Sequence, residues 1–202
     1  MQLIGYMDSP FVRRVAVTAR FLEIAYTHRE LSIFQQYEEF RQINPLVKTP
    51  TIICDDGQVL VESTLIIEYL EMLVGKRLMP DNADARIAAL RLTGTALVAM
   101  EKIVQLIYET KQRPKEMQHA PWIERVEQQL RAAVDLMESS VGDGSRWLTD
   151  AAICQADITT AVAWRFVQKE QPERIFAGNY PGLSRFSARA ENLPQFLACP
   201  LS

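Results

Sequence analysis

Long apolar runs are missing from this chain. No stretch approaches the roughly 20 residues a helix needs to cross a bilayer, so no membrane-spanning helix is expected. Cysteine is scarce as well: Cys54, Cys154 and Cys199 are odd in number, far apart and without zinc or redox spacing. That pattern argues against a disulfide framework or a structural zinc site and reads as packed thiols in a reducing cytoplasm. A charge bias is also lacking, with 22 Lys+Arg against 25 Asp+Glu and a formal net charge of −3. Without a basic run or an arginine-rich segment, nucleic acid is not an expected partner, which leaves small molecules or proteins. Histidine is limited to His28 and His119, neither with an acid or nucleophile at motif spacing, so neither a triad nor a metal centre is expected. The opening MQLIGYMDSP has no basic leader ahead of an apolar run, and a secretory signal is not expected either.

What is present is enough to build a core: 202 residues, 48% of them hydrophobic, suffice for one or two domains. The chain is organised around NPLVKTPTIICDDGQVLVES, residues 44–63. Asn44-Pro45 initiates a turn, because proline fixes φ and biases the preceding residue away from helix. Thr51–Cys54 and Val59–Val61 are short β-prone runs, with Asp56-Gly57 between them as a two-residue hairpin turn. Ser63 is the expected N-cap of the helix that follows, in which Ile66, Ile67, Leu70 and Val74 recur at helical spacing. Gly75 closes it.

Upstream, Gln2–Tyr6 is a strand candidate. Asp8-Ser9-Pro10 then starts a helix with Phe11, Val12, Val15, Ala19 and Leu22 on one face and Arg13, Arg14, Arg20 and Glu23 on the other. Tyr26–Leu31 is a second strand candidate, and Ile33, Tyr37 and Phe40 suggest a short amphipathic helix. Lys76–Asn82 reads as a linker, after which no strand signal remains. Asp84–Thr110 is a long alanine-rich helix, apolar on most of its circumference. Pro121 sits in the first turn of the next, whose inward stripe is Trp122, Val126, Leu130, Ala133, Met137 and Val141. Cys154–Gln168 and the segment from Tyr180 are two further helices. A strand-containing first third followed by an all-helical remainder predicts two domains.

These motifs resemble the glutathione transferases. That family carries an Asn-Pro-x-x-Lys-x-Pro loop with a cis proline, a hairpin, and an acidic residue followed by serine at a helix start, matched by Asn44, Pro45, Lys48, Pro50, Glu62 and Ser63. Cys154-Gln155-Ala156-Asp157 stands where the family has a Thr/Ser-x-Ala-Asp helix start. The departure is Cys154, a poor acceptor that leaves half a capping box. Tyr180, Pro181, Leu183, Phe186 and Arg189 match a terminal family segment. Ser9-Pro10-Phe11 resembles the Ser-Pro-Phe motif of tau-like and related bacterial, serine-type members. The resemblance implies an α/β thioredoxin-like N-terminal domain over residues 1–77 plus an all-α C-terminal helical-bundle domain over 84–202.

The resemblance also assigns roles, each with a plainer reading beside it. Ser9 would donate a hydrogen bond to the glutathione thiolate, assisted by the helix dipole. Read plainly, Ser-Pro is an N-cap with proline at N1. Phe11 belongs to the same motif. With Pro50 cis, the backbone of Thr49 would pair with the cysteinyl unit like an added strand; otherwise Pro50 merely opens a strand. Lys48 would meet the glycyl carboxylate, or is simply solvated. Ser63 would hold the γ-glutamyl carboxylate and Glu62 its ammonium, although capping and the helix dipole account for both. Val104 and Tyr108 are candidates for a second-substrate pocket between the domains, or ordinary core. The expected protein is a cytoplasmic, homodimeric glutathione transferase that attacks a small electrophilic, partly apolar substrate. Glutathione is its co-substrate, with no other cofactor and no metal. A glutathione-dependent isomerase or dehalogenase is the alternative on the same site, and a non-enzymatic member resembling the stringent starvation proteins is a third reading.

Overall fold

The computed structural model describes residues 1–149 and 152–201. It divides into one unit made of Met1–Leu78 with Asn192–Ser202, and a second made of Met79–Glu191.

The first unit is built on four strands, β1 (Gln2–Ile4), β2 (Thr27–Arg29), β3 (Thr51–Ile53) and β4 (Val59–Val61), ordered β2-β1-β3-β4. β1 runs parallel to β2 and antiparallel to β3, with Leu3 opposite His28 on one side and Ile52 on the other. A parallel pair needs a crossover, which α1 (Pro10–Phe21) supplies, whereas the antiparallel β3–β4 pair needs only a tight loop. That loop has three residues rather than the expected two. The Cys54 N–H bonds the Gln58 carbonyl at 2.8 Å, and Gly57, at φ 85°, gives its N–H to the Cys54 carbonyl. The longer loop follows from Asp56, whose carboxylate takes the Gln58 N–H that a two-residue turn would return to the facing strand.

α2 (Tyr37–Ile43) buries only Phe40, which joins Ile4 and Leu31 in a small core, with Ile33 packed on it from outside the helix. α3 (Ser63–Val74) turns Ile66, Ile67 and Leu70 inward and stops at Gly75, whose φ of 63° is the left-handed cap the sequence calls for. α1 departs from expectation. Every residue from Val12 to Ala19 is buried, including Arg13 at 2% and Arg14 at 1% exposure, which amphipathic spacing places on the solvent face. Arginine goes inside only with partners, and both have them. The Arg13 Nε donates to the Cys199 carbonyl at 2.8 Å, and the Arg14 Nη1 donates to Ser63 Oγ.

The second unit is helical: α4 (Ala83–Ile107), α5 (Ala120–Val141), α6 (Gln155–Glu170) and α7 (Pro181–Glu191). α4 packs on both α5 and α6, and Ala89, Ala96 and Ala99 are fully covered. α4 does not run evenly to Thr110 but ends in a π-helical turn over Tyr108–Gln112. The buried Glu109 there accepts the His119 N–H at 2.8 Å and pairs with Arg113 Nε at 2.9 Å, tying the turn to the start of α5. On α5 the expected stripe from Val126 to Val141 is buried, but Trp122 is 40% exposed, one turn before the first residue the helix covers. Glu138 of α5 caps α7, accepting the N–H groups of Gly182 at 2.8 Å and Leu183 at 2.7 Å.

Asp157 holds the start of α6. Its carboxylate accepts the N–H groups of Cys154 and Leu148, both at 2.8 Å, and burial pushes its pKa up while those amides pull it down. Cys154 occupies the reciprocal half of the box, where sulfur is a weak acceptor. Asp157→Ala should therefore cost about 2–5 kcal/mol, the cap being worth roughly 0.5–2 and the charged bond to Leu148 roughly 1.5–3. An unchanged urea midpoint would mean that something else anchors α6.

The chain then returns to the first unit. From Asn192 onward the segment, with α8 (Pro194–Leu197), belongs with Met1–Leu78 rather than with the helical residues that precede it. The reason is local: Phe196 is fully buried, edge-on to Phe21 at 6.3 Å, under the Arg13 guanidinium at 5.7 Å.

Candidate functional site

The seven residues expected to bind glutathione lie in the first unit, at two helix N-termini and in the loop before β3. That loop is built on Asn44, which is almost fully buried. Its side-chain oxygen accepts the Leu46 N–H at 3.0 Å and its amide donates to Thr51 Oγ1 at 2.9 Å, while Thr51 bonds the Lys48 carbonyl at 2.5 Å. The loop is thereby closed on itself, and the Lys48 side chain points to solvent. The Thr49–Pro50 peptide bond is cis. Among the described residues neither backbone group of Thr49 bonds to another backbone group, an edge left open for an extended peptide. The Thr49 hydroxyl reaches the Ile4 carbonyl at 3.4 Å, and Gly5, at φ 132°, lets it approach. A Cβ on Gly5 would stand 2.1 Å from Thr49 Oγ1 and 2.7 Å from Val12 Cγ2.

Val12 links this loop to Ser9, because its N–H is the one Ser9 caps. Ser9 is half-buried with β-region dihedrals, as an N-cap requires. The cap bond is long, 3.5 Å, and Ser9 Oγ donates to no protein acceptor among the described residues. The plain and catalytic readings of this hydroxyl are compatible. It has one proton and two lone pairs, so it can accept from Val12 and donate outward together. Pro10 is N1 and Phe11, half-buried, N2.

The second helix N-terminus differs from expectation in one step. The N-cap of α3 is Glu62, not Ser63: the Glu62 carboxylate accepts the Thr64 N–H at 3.0 Å. Ser63 is the first helical residue, and its side chain turns inward to Arg14. Arg14 Nη1 donates to Ser63 Oγ at 2.9 Å and to Thr64 Oγ1 at 3.1 Å, while Ser63 Oγ–H points to Glu62 Oε1 at 3.4 Å. Glu62 is exposed, yet its backbone sits at φ 74°, ψ 117°. That region costs a residue with a side chain about 1–3 kcal/mol. An exposed side chain returns no packing for this strain. Burial lowers the Arg14 pKa to about 10, with Glu62 opposing the fall. Arg14 is the residue beneath the candidate site that amphipathic spacing placed on the solvent face instead. Apart from the two arginines themselves, only Thr18 is polar between Val12 and Ala19, and that narrow polar face was the available signal.

In the second unit Val104 is half-buried on α4 and Tyr108, 46% exposed, opens the π-helical turn. Among the described residues no group of His, Cys, Asp and Glu could hold a metal ion, and no helix is long and apolar enough to cross a membrane.

A thioredoxin-like sheet unit with a cis-proline loop before β3, and a separate helical unit, together define the glutathione S-transferase class of fold. Comparison with known proteins agrees. Residues 3–77 match the model of the glutathione S-transferase N-terminal domain. A glutathione S-transferase from Methylobacterium radiotolerans, solved with glutathione sulfonate, superposes with a TM-score of 0.91 over 100% of this chain and 95% of that one, at 23% identity. A glutathione transferase family member from Pseudomonas fluorescens Pf-5 with bound glutathione gives 0.85 over 100% and 98%, at 26% identity. A probable maleylacetoacetate isomerase 2 of Drosophila melanogaster is 26% identical over 97% of this chain and 86% of its own length. The chain has the glutathione S-transferase fold, and these likenesses support membership of that family.

Proposed function

We propose that this protein is a serine-type glutathione transferase that adds the glutathione thiolate to a small electrophilic, partly apolar substrate. The observation that carries the reading is the strained Glu62 beside the buried Ser63 hydroxyl at the N-terminus of α3. A stability role accounts poorly for strain at an exposed residue, whereas an amino-acid head group has uses for both side chains. In this reading the γ-glutamyl carboxylate takes the Ser63 hydroxyl and the free amides of α3. The ammonium takes Glu62, whose carboxylate has lone pairs beyond the one given to Thr64. The cysteinyl backbone pairs with Thr49, the glycyl carboxylate meets Lys48, and Ser9 donates to the sulfur near Phe11. Residues 1–77 are the glutathione-binding domain, completed by the tail from Asn192, and the helical domain from residue 84 carries the second-substrate pocket with Val104 and Tyr108. Retention on immobilised glutathione, followed by a panel of electrophiles, tests this; a chain that washes through untouched refutes it.

The likeness to a probable maleylacetoacetate isomerase supports a second reading on the same site. The two differ in stoichiometry, since a transferase consumes one glutathione per turnover and an isomerase returns it.

Glu62 and Ser63 make the same contacts before and during attack in either reading. Glu62→Gln, which removes the charge, and Ser63→Ala should raise KM for glutathione about ten-fold or more while leaving kcat at saturating thiol nearly unchanged. Glu62→Ala should in addition lower stability by about 1 kcal/mol through the lost cap. Equal losses in kcat and kcat/KM would place these residues in the transition state instead.

The protein is also proposed to be a cytoplasmic homodimer. Leu65, Met72, Leu73 and Val74 are exposed on α3, and Ile87, Leu90 and Val98 on α4, apolar side chains that a partner subunit would cover. The expected interface exceeds about 1,000 Å², and light scattering at micromolar concentration should return twice the chain mass. A monomer mass would rule the dimer out.

A further inference from the structure

We infer that Arg14 is a positioning residue that makes the N-terminus of α3 select a carboxylate, acting from beneath through the hydroxyls of Ser63 and Thr64. The inference rests on the glutathione reading and extends it to a residue that touches no ligand. Its ground is an imbalance. The guanidinium is 1% exposed and aimed at the helix N-terminus, with Nη1 shared between two hydroxyls at 2.9 and 3.1 Å. Its Nε is buried without a hydrogen bond, and no carboxylate lies within ion-pair distance of it among the described residues. Glu62 reaches the cation only from beyond the Ser63 hydroxyl, its exposed carboxylate 3.4 Å from that oxygen, so the compensation is partial. An apolar side chain of similar volume would usually serve a core as well or better, so fold stability alone gives poor reason for a charge here.

A second anion at the α3 N-terminus, beside Glu62, would complete that compensation. Ser63 Oγ already accepts from Arg14, so its proton is directed away, towards Glu62 Oε1 in the free chain at 3.4 Å. Such a hydroxyl, with its oxygen drawn by a cation, is a stronger donor, and its direction is set before the ligand arrives. A ligand carboxylate accepting that proton would stand one oxygen away from the guanidinium, shielded from water by the protein. A neutral group in its place would gain little from the buried charge. Arg14 therefore confers preference for a charged amino-acid head group over an uncharged one.

The test is a cycle between protein and ligand by titration calorimetry. Wild type, Arg14→Met and Arg14→Lys are each titrated with glutathione and with the analogue in which γ-aminobutyrate replaces the γ-glutamyl residue, so that the α-carboxylate and ammonium are absent. A third ligand, the α-carboxamide of glutathione, keeps the ammonium and loses only the charge of the carboxylate. Two unit charges separated by one oxygen, in a partly screened site, are coupled by about ten- to a hundred-fold in affinity. Wild type should prefer glutathione over the carboxamide by that factor, Arg14→Met should lose most of the preference, and Arg14→Lys should recover part of it. KM for glutathione should rise in Arg14→Met with kcat at saturating thiol unchanged. Should Arg14→Met fail to fold, Arg14→Gln replaces it, a polar side chain without the charge. The same preference in Arg14→Gln as in wild type overturns the inference and leaves the glutathione reading standing. No binding of glutathione by wild type overturns both.

Discussion

Ser9→Ala should raise the pKa of bound glutathione towards that of a free thiol, about 8.5, and near neutral pH should slow turnover by about one to two decades. The size follows from one charge-assisted hydrogen bond, typically worth roughly 1.5–3 kcal/mol. The bond favours the anion, so losing it favours the neutral thiol. The sign of the pH dependence is then fixed: the deficit is largest below the thiolate pKa of the variant and shrinks as pH rises and the thiol ionises unaided. Stability should change little, because the cap bond to Val12 is 3.5 Å long and contributes at the lower end of the capping range. Thiolate absorbance of bound glutathione against pH, for wild type and variant, decides the matter. Superimposable titrations would leave Ser9 as a helix cap and no more. Ser9→Cys is the informative control, since a sulfur there could trap glutathione as a mixed disulfide and move the site towards exchange chemistry.

The second large effect is expected far from any charge. Gly5→Ala puts a methyl group 2.1 Å from Thr49 Oγ1 and 2.7 Å from Val12 Cγ2, at a φ of 132° that side chains avoid. Overpacking costs about 1–3 kcal/mol and the backbone conformation about 1–3 more, against a total stability of roughly 5–15. The variant should thus be severely destabilised, and it should bind glutathione weakly, because the residue it displaces is the proposed backbone partner of the cysteinyl unit. Thr49→Ala removes the nearer obstacle. In the Gly5→Ala background it should return about 1–2 kcal/mol, while in wild type it should cost little. If the double variant unfolds at the same urea concentration as Gly5→Ala, the clash with Thr49 is not what the glycine avoids.

The elements of this fold were legible where local chemistry is decisive. Gly75 ended its helix, Pro121 lay in a first turn, and the period-3.6 pattern from Val126 to Val141 became a buried stripe. The misreadings share a cause, which is that partners distant in sequence settled what local pattern could not. Arg13 and Arg14 belong on a solvent face by spacing alone. They are interior because the Cys199 carbonyl, 186 residues away, and Ser63, 49 away, receive them. Ser63 is a better N-cap than Glu62 by preference, but Arg14 holds its hydroxyl and Glu62 caps in its place. The hairpin loop failed on a smaller scale, by the reach of one aspartate. At the site, the residues that face solvent or a helix end followed from the motif, whereas the one beneath them did not.

The route of the chain also orders its own assembly. Residues that close over Arg13 and Phe21 are made only after the whole helical unit, so the unit synthesised first is completed last. During synthesis it exists as a sheet with an uncovered arginine and phenylalanine, exposed for the time it takes to add more than a hundred further residues, which at about 5–20 residues per second is several seconds or longer. A nascent chain stalled before Asn192 should therefore be cut by protease within Met1–Leu78 sooner than one carried past Cys199, although the missing residues lie nowhere near that segment in sequence.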